Sequence, residues 1–70
     1  MKWHTYPDEK PENGQVCLIK PRELLGYTVS LYVNDAYKTC YITRYDEEEY
    51  DPFEYPFWIS IDEIEKEIKK

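Results

Sequence analysis

Between Tyr27 and Val33 the chain alternates strictly, with Tyr27, Val29, Leu31 and Val33 set against Thr28, Ser30 and Tyr32. Successive side chains of an extended chain point to opposite faces, so this period of two predicts a strand over 27–33. Upstream, Gln15–Lys20 carries Val16, Cys17, Leu18 and Ile19 in a row. Four consecutive apolar residues fit a short strand covered on both faces or central in a sheet. Pro11-Glu12-Asn13-Gly14 before it is a turn signature, because Asn and Gly tolerate positive φ and Pro restricts the approach; Pro21 ends the strand. Downstream, Asn34-Asp35-Ala36 reads as a hairpin turn and Tyr37–Tyr45 is rich in β-branched and aromatic residues. The strands 27–33 and 37–45 are therefore expected to pair antiparallel.

Asp46–Pro56 contains two prolines and little strand propensity and reads as a surface loop, after which Phe57–Ser60 is a short extended segment. Ser60-Ile61-Asp62-Glu63 is an S-x-x-E capping box that starts a helix. Asp62 and Glu63 at its start and Lys66, Lys69 and Lys70 at its end complement the helix dipole. Ile61, Ile64 and Ile68 fall on one helical face. Their stripe is expected to dock on the sheet, since so short a helix is marginal in water without cover. The fold class expected is α+β: a small antiparallel sheet of three to four strands, for which an SH3-like barrel is one form, with a short C-terminal helix.

Seventy residues make one domain, 1–70, with a thin core. Eight Tyr, two Trp and two Phe compensate, each ring burying roughly 150–250 Å² when packed. Trp3 and Trp58 are expected in the core. Among the loop rings, Tyr45 and Phe53 are expected to turn inward before Tyr50 and Tyr55. Met1–Asp8 shows no apolar signal-peptide region, and no run approaches the ~20 apolar residues of a membrane span. Cys17 and Cys40 lie within apolar runs and read as reduced core thiols, so the expected location is cytoplasmic.

Catalytic patterns are missing. His4 is the single histidine, and with two distant cysteines it makes no zinc spacing. Two glycines cannot build the usual phosphate-cradling loops. Calcium ligation from Asp46, Glu48 and Asp51 would need a Gly at the sixth loop position, where Asp51 stands. The solvated carboxylates of 46–54 lack the contrasting environments of acid/base pairs. No catalytic residue, metal or cofactor is assigned.

Charge is concentrated. The chain has 9 Lys+Arg and 15 Asp+Glu, net −6, and Asp46, Glu47, Glu48, Glu49, Asp51 and Glu54 supply all of the excess. A local negative field steers a basic partner, and the interleaved Tyr50 and Tyr55 are the kind of side chain that anchors interfaces. Asp46, Glu47, Glu48, Glu49, Tyr50, Asp51, Glu54 and Tyr55 are thus the candidate partner-binding residues. Direct nucleic-acid binding is disfavoured, because the nine bases are scattered rather than gathered into a groove. Carboxylates presented to a nucleic-acid-binding protein in place of phosphates are a further possibility.

Trp3 followed by Pro11-Glu12-Asn13-Gly14-Gln15-Val16-Cys17-Leu18-Ile19 resembles the opening of a small phage- and prophage-associated family of unknown function, and Phe57-Trp58-Ile59 resembles its closing Trp element. The chain lacks the His before that Trp and the Pro-rich end. The resemblance implies a compact β-rich domain and a phage origin, where short acidic proteins modulate host enzymes or defence systems. The expected function is non-enzymatic: binding of a host protein with a basic surface, as monomer or homodimer, in the host cytoplasm. The alternatives are a small-ligand or nucleotide-signal binder with a Tyr-lined site at a dimer interface, and a virion component.

Overall fold

A computed structural model describes residues 2–22, 26–43 and 47–68. Six strands, β1 (His4–Thr5), β2 (Val16–Lys20), β3 (Thr28–Asn34), β4 (Thr39–Thr43), β5 (Glu49–Tyr50) and β6 (Phe57–Ser60), precede the helix α1 (Ile61–Ile68). They form one antiparallel sheet in the order β1-β6-β2-β3-β4-β5. The class is α+β as expected, with six strands in place of three or four. The two additional strands are two-residue edges, and one of them, β5, interrupts the expected 46–56 loop. The sheet runs open from β1 to β5, with no pair closing it into a barrel among the described residues.

Local chemistry explains the frame. Gly14 adopts φ +86, the left-handed region that Gly enters at little cost. The turn around it is closed by the Gln15 amide donating to the Glu12 carbonyl at 3.0 Å, while the Asn34 amide donates to Asn13 Oδ1 at 2.9 Å, which sets β2 against β3. At the β3–β4 hairpin Asp35 Oδ1 accepts from the amides of Tyr37 and Lys38, and these bonds hold its carboxyl below the usual range. The capping box forms as read: the Ser60 amide donates to Glu63 Oε2 at 3.0 Å and the Glu63 amide to Ser60 Oγ at 3.2 Å.

One face of the sheet is the core. Cys17 and Ile19 on β2, Ser30 and Tyr32 on β3, Tyr41 on β4 and Trp58 on β6 are buried there beneath Tyr6, with Tyr50 and Tyr55 packed at the margin. Buried Pro11, Pro52 and Pro56 belong to the connections around it. The other, more open face carries the apolar half of the β3 alternation: Val29 and Leu31 are 41% and 36% exposed, while Ile59 on β6 and Cys40 on β4, on the same face, are buried. β2 is central as expected, fully covered on the core face and half-covered on the other, where Val16 and Leu18 are half-buried.

Other expectations hold in part. Trp58 is core and its indole donates to the Glu9 carbonyl at 2.9 Å, but Trp3 is half-buried and stacks on exposed Tyr27 at 5.6 Å. Ile61 and Ile64 are half-buried, whereas Ile68 is exposed; among the described residues α1 meets the sheet at β6 and β2. Cys17 and Cys40 are both buried free thiols. They lie on opposite faces with β3 between their strands, so they cannot bridge.

Candidate functional site

The acidic segment follows the outer edge of the sheet. Asp46 and Tyr45 lie outside the described residues. Glu47 has φ 55, a left-handed bend that turns the chain toward the two-residue strand β5. The Thr43 amide donates to the Glu48 carbonyl at 3.0 Å, and Tyr50 and Glu49 pair with Tyr41 and Ile42 of β4. Strand alternation then separates the acids. Tyr50 points to the core face, where it meets Tyr55 at 4.7 Å and its hydroxyl donates to Glu48 Oε2 at 2.8 Å. Glu49 shares the open face with Ile42's neighbours and is ion-paired to Lys38, which holds its carboxyl below the usual range. Asp51 is used by the following turn: its Oδ1 accepts from the Phe53 amide at 2.9 Å and its carbonyl from the Glu54 and Tyr55 amides.

Glu47, Glu48, Glu49, Asp51 and Glu54 are all exposed, so the described acids do share one edge, as a rim facing several directions and not a flat patch. The ring assignment is reversed for Phe53. It is 61% exposed, touching Tyr6 only edge-on at 5.2 Å, while Tyr50 and Tyr55 pack against the core. The Asp51 turn aims Phe53 outward, so the exposed ring beside the acids is one that was expected inside.

A second constellation is absent from the candidate set. His4 Nδ1 lies 2.8 Å from Glu9 Oε2 and His4 Nε2 lies 2.8 Å from Glu63 Oε1. A carboxylate only accepts, so this geometry is satisfied at both ring nitrogens by the imidazolium form, which donates twice. The bond to Glu63 raises the His4 pKa most, burial opposes it, and Glu9 adds to the rise. Burial pushes the Glu63 carboxyl up, but the bonds from His4 and from the Ser60 amide and hydroxyl prevail and hold it below the ordinary value. His4 also packs on Trp58 at 4.5 Å. The cluster is a tie between β1 and α1. Its one sequence signal was the capping-box Glu63, whose second oxygen is free of the cap; the 59-residue separation from His4 concealed the rest.

Thiol chemistry is suppressed. Burial, with Glu63 adding to it, pushes Cys17 up to about 12, and burial followed by Glu49 raises Cys40. Among the described residues no group of three or more His, Cys, Asp and Glu is arranged to hold a metal ion, and no helix is long and apolar enough to cross a membrane. No protein-family model, curated protein or solved structure matches the chain.

Proposed function

We propose that the chain is a non-enzymatic protein-binding module that receives a basic partner on its acidic β5 edge. The observation that carries this reading is the exposure of Phe53 among Glu47, Glu48, Glu49, Asp51 and Glu54, an apolar anchor within a negative rim. Long-range attraction from the rim raises the encounter rate, and burying the ring supplies contact energy. Phage-encoded inhibition of a host or defence protein, with carboxylates standing in for nucleic-acid phosphates, is the setting suggested by the resemblance of the opening and closing segments. A Tyr-lined ligand site has less support, since Tyr6, Tyr32 and Tyr41 are buried and Tyr50 and Tyr55 pack on the core.

The test is an affinity capture from host lysate with wild type and two variants. The triple variant Glu47→Lys, Glu48→Lys, Glu54→Lys leaves the Glu49–Lys38 pair and the Asp51 turn intact, and Phe53→Ser removes the anchor. Both are expected to fold and to lose the protein that wild type captures, and capture by wild type should weaken steeply with added salt. Full capture by the triple variant overturns the assignment.

A further inference from the structure

We propose that the corner of the sheet formed by Trp3, Lys20 and Tyr27 binds a nucleotide unit, with the base stacked on Tyr27 and the phosphate on Lys20. Trp3 stands one residue before β1 and Tyr27 one residue before β3, and β6 and β2 run between those two strands. Three strand spacings are about 14 Å, yet the two rings stack with centroids 5.6 Å apart and planes 9° from parallel. The indole therefore reaches across β6 and β2. Tyr27 is 60% exposed although Trp3 occupies one side of its ring, so the other side of the stack faces solvent. An open ring face at the end of a stack is a platform that a nucleobase extends, since every base has a π-face.

Positive charge stands beside the platform. Lys20 Nζ lies 5.7 Å from the ring centroids of Trp3 and of Phe57, the register partner of Lys20 on β6. The rings attract the ammonium through their quadrupoles but bring no opposite charge, so the cation remains to be neutralised. Lys2 adjoins Trp3 in the chain and Arg22 follows Lys20 by two residues, and both are exposed. Among the described residues none of these three is ion-paired, whereas Lys38 is matched by Glu49. Lys2 is far in sequence from Lys20 and Arg22, and the β1-β6-β2 order is what gathers them around one stack. The platform and the cations select a ligand together. A phosphate alone leaves Tyr27 bare and a neutral aromatic leaves Lys20 unmatched, whereas a base joined to a phosphate satisfies both. An anionic bilayer offers charge without a flat ring, and the chain's net charge of −6 opposes it. The source of the unit is a free nucleotide or a nucleic-acid single strand.

The probes are a fluorescein-labelled oligodeoxyadenylate of roughly 12 nucleotides, read by anisotropy on the full chain, and unlabelled dAMP as competitor. Three phosphates neutralised on a single strand give a slope of about −2 in log K against log salt, about a twentyfold loss between roughly 50 and 200 mM. Tyr27→Leu keeps apolar bulk without a π-face and should weaken binding about tenfold, while Tyr27→Phe should keep it. Lys20→Gln and Arg22→Gln should each weaken the oligonucleotide and flatten the salt slope by about 0.7. Circular dichroism like that of wild type shows that the variants fold; Tyr27 and Arg22 are exposed in any case. Tighter binding of the oligonucleotide than of dAMP identifies a single strand, and dAMP binding at least as tightly identifies the free nucleotide. The proposal is overturned by no binding of either probe up to about 1 mM, by binding indifferent to Tyr27→Leu, or by capture on phosphatidylserine vesicles without nucleotide binding. None of these readouts involves the β5 rim.

Discussion

Replacing Glu63 with Gln removes the charge opposite His4 Nε2 while leaving an acceptor for the Ser60 cap. His4's side chain is 17% exposed, but those of Glu63 and Glu9 are 42% and 54% exposed. A charge-assisted bond to a well-covered group contributes about 1.5–3 kcal/mol and a surface ion pair about 0–1, so half-wet carboxylates on a covered imidazolium place each contact near 1 kcal/mol. The sign follows from the pKa directions. His4 is raised above 6.5, so its contribution is complete below pH 6.5 and is lost as pH rises through the folded value. Glu63 is lowered below 4.5, so its contribution is complete above pH 4.5 and is lost as pH falls through the folded value. Wild-type stability should therefore plateau between pH 4.5 and 6.5 and decline above it. Glu63→Gln should cost about 1 kcal/mol near pH 5.5, about 4–8 °C in Tm, and clearly less near pH 8.5. Urea unfolding followed by Trp fluorescence at each pH measures this, and a His4 NMR titration gives the midpoint directly. Stability curves of wild type and variant that run parallel across that range would refute the imidazolium tie.

Ser60→Ala removes the hydroxyl cap of α1 and should cost about 1 kcal/mol, with faster amide exchange at the start of the helix as the specific sign. Tyr41→Phe should be neutral or stabilising in chemical denaturation, because its buried hydroxyl has no hydrogen-bond partner and deleting it removes a desolvation cost of about 1–3 kcal/mol. Under native conditions near pH 8, Cys17 should resist iodoacetamide for as long as the fold persists and react rapidly in denaturant; mass spectrometry of the alkylated peptide decides it. Trp58→Phe should cost about 1–3 kcal/mol in urea unfolding, through lost packing and the unpaired Glu9 carbonyl.

Features written in local pattern were legible. The run Val16–Ile19, the β3 alternation, the Asp35 turn and the Ser60–Glu63 cap each depend on neighbours in sequence, and each lies where the pattern puts it. Two-residue strands have no period to read, so β1 and β5 exist only through β6 and β4. Alternation reveals that a strand has two faces but not which one is covered. Tyr32 and Tyr41 bring large rings together at 5.4 Å on the side where Tyr6 and Trp58 lie, and the aliphatic side of β3 is left outside. The acidic edge was legible as composition, whereas its division by β5 and the outward turn of Phe53 depend on pairing and on the Asp51 bond. His4 was invisible as a tie because β1 meets α1 only after β6 is in place.

The position of β6 has a consequence for assembly. It is the last strand among the described residues, yet it lies between the first two and is hydrogen-bonded to both. A nascent chain emerging from a ribosome can close the β2–β3–β4 meander early, but His4 and Thr5 have no strand to join until Phe57–Ser60 has appeared. Formation of the β1 edge thus waits on Phe57–Ser60, and translation arrested before Phe57 would release a four-stranded β2–β3–β4–β5 fragment with its β2 edge bare and prone to pair with other chains.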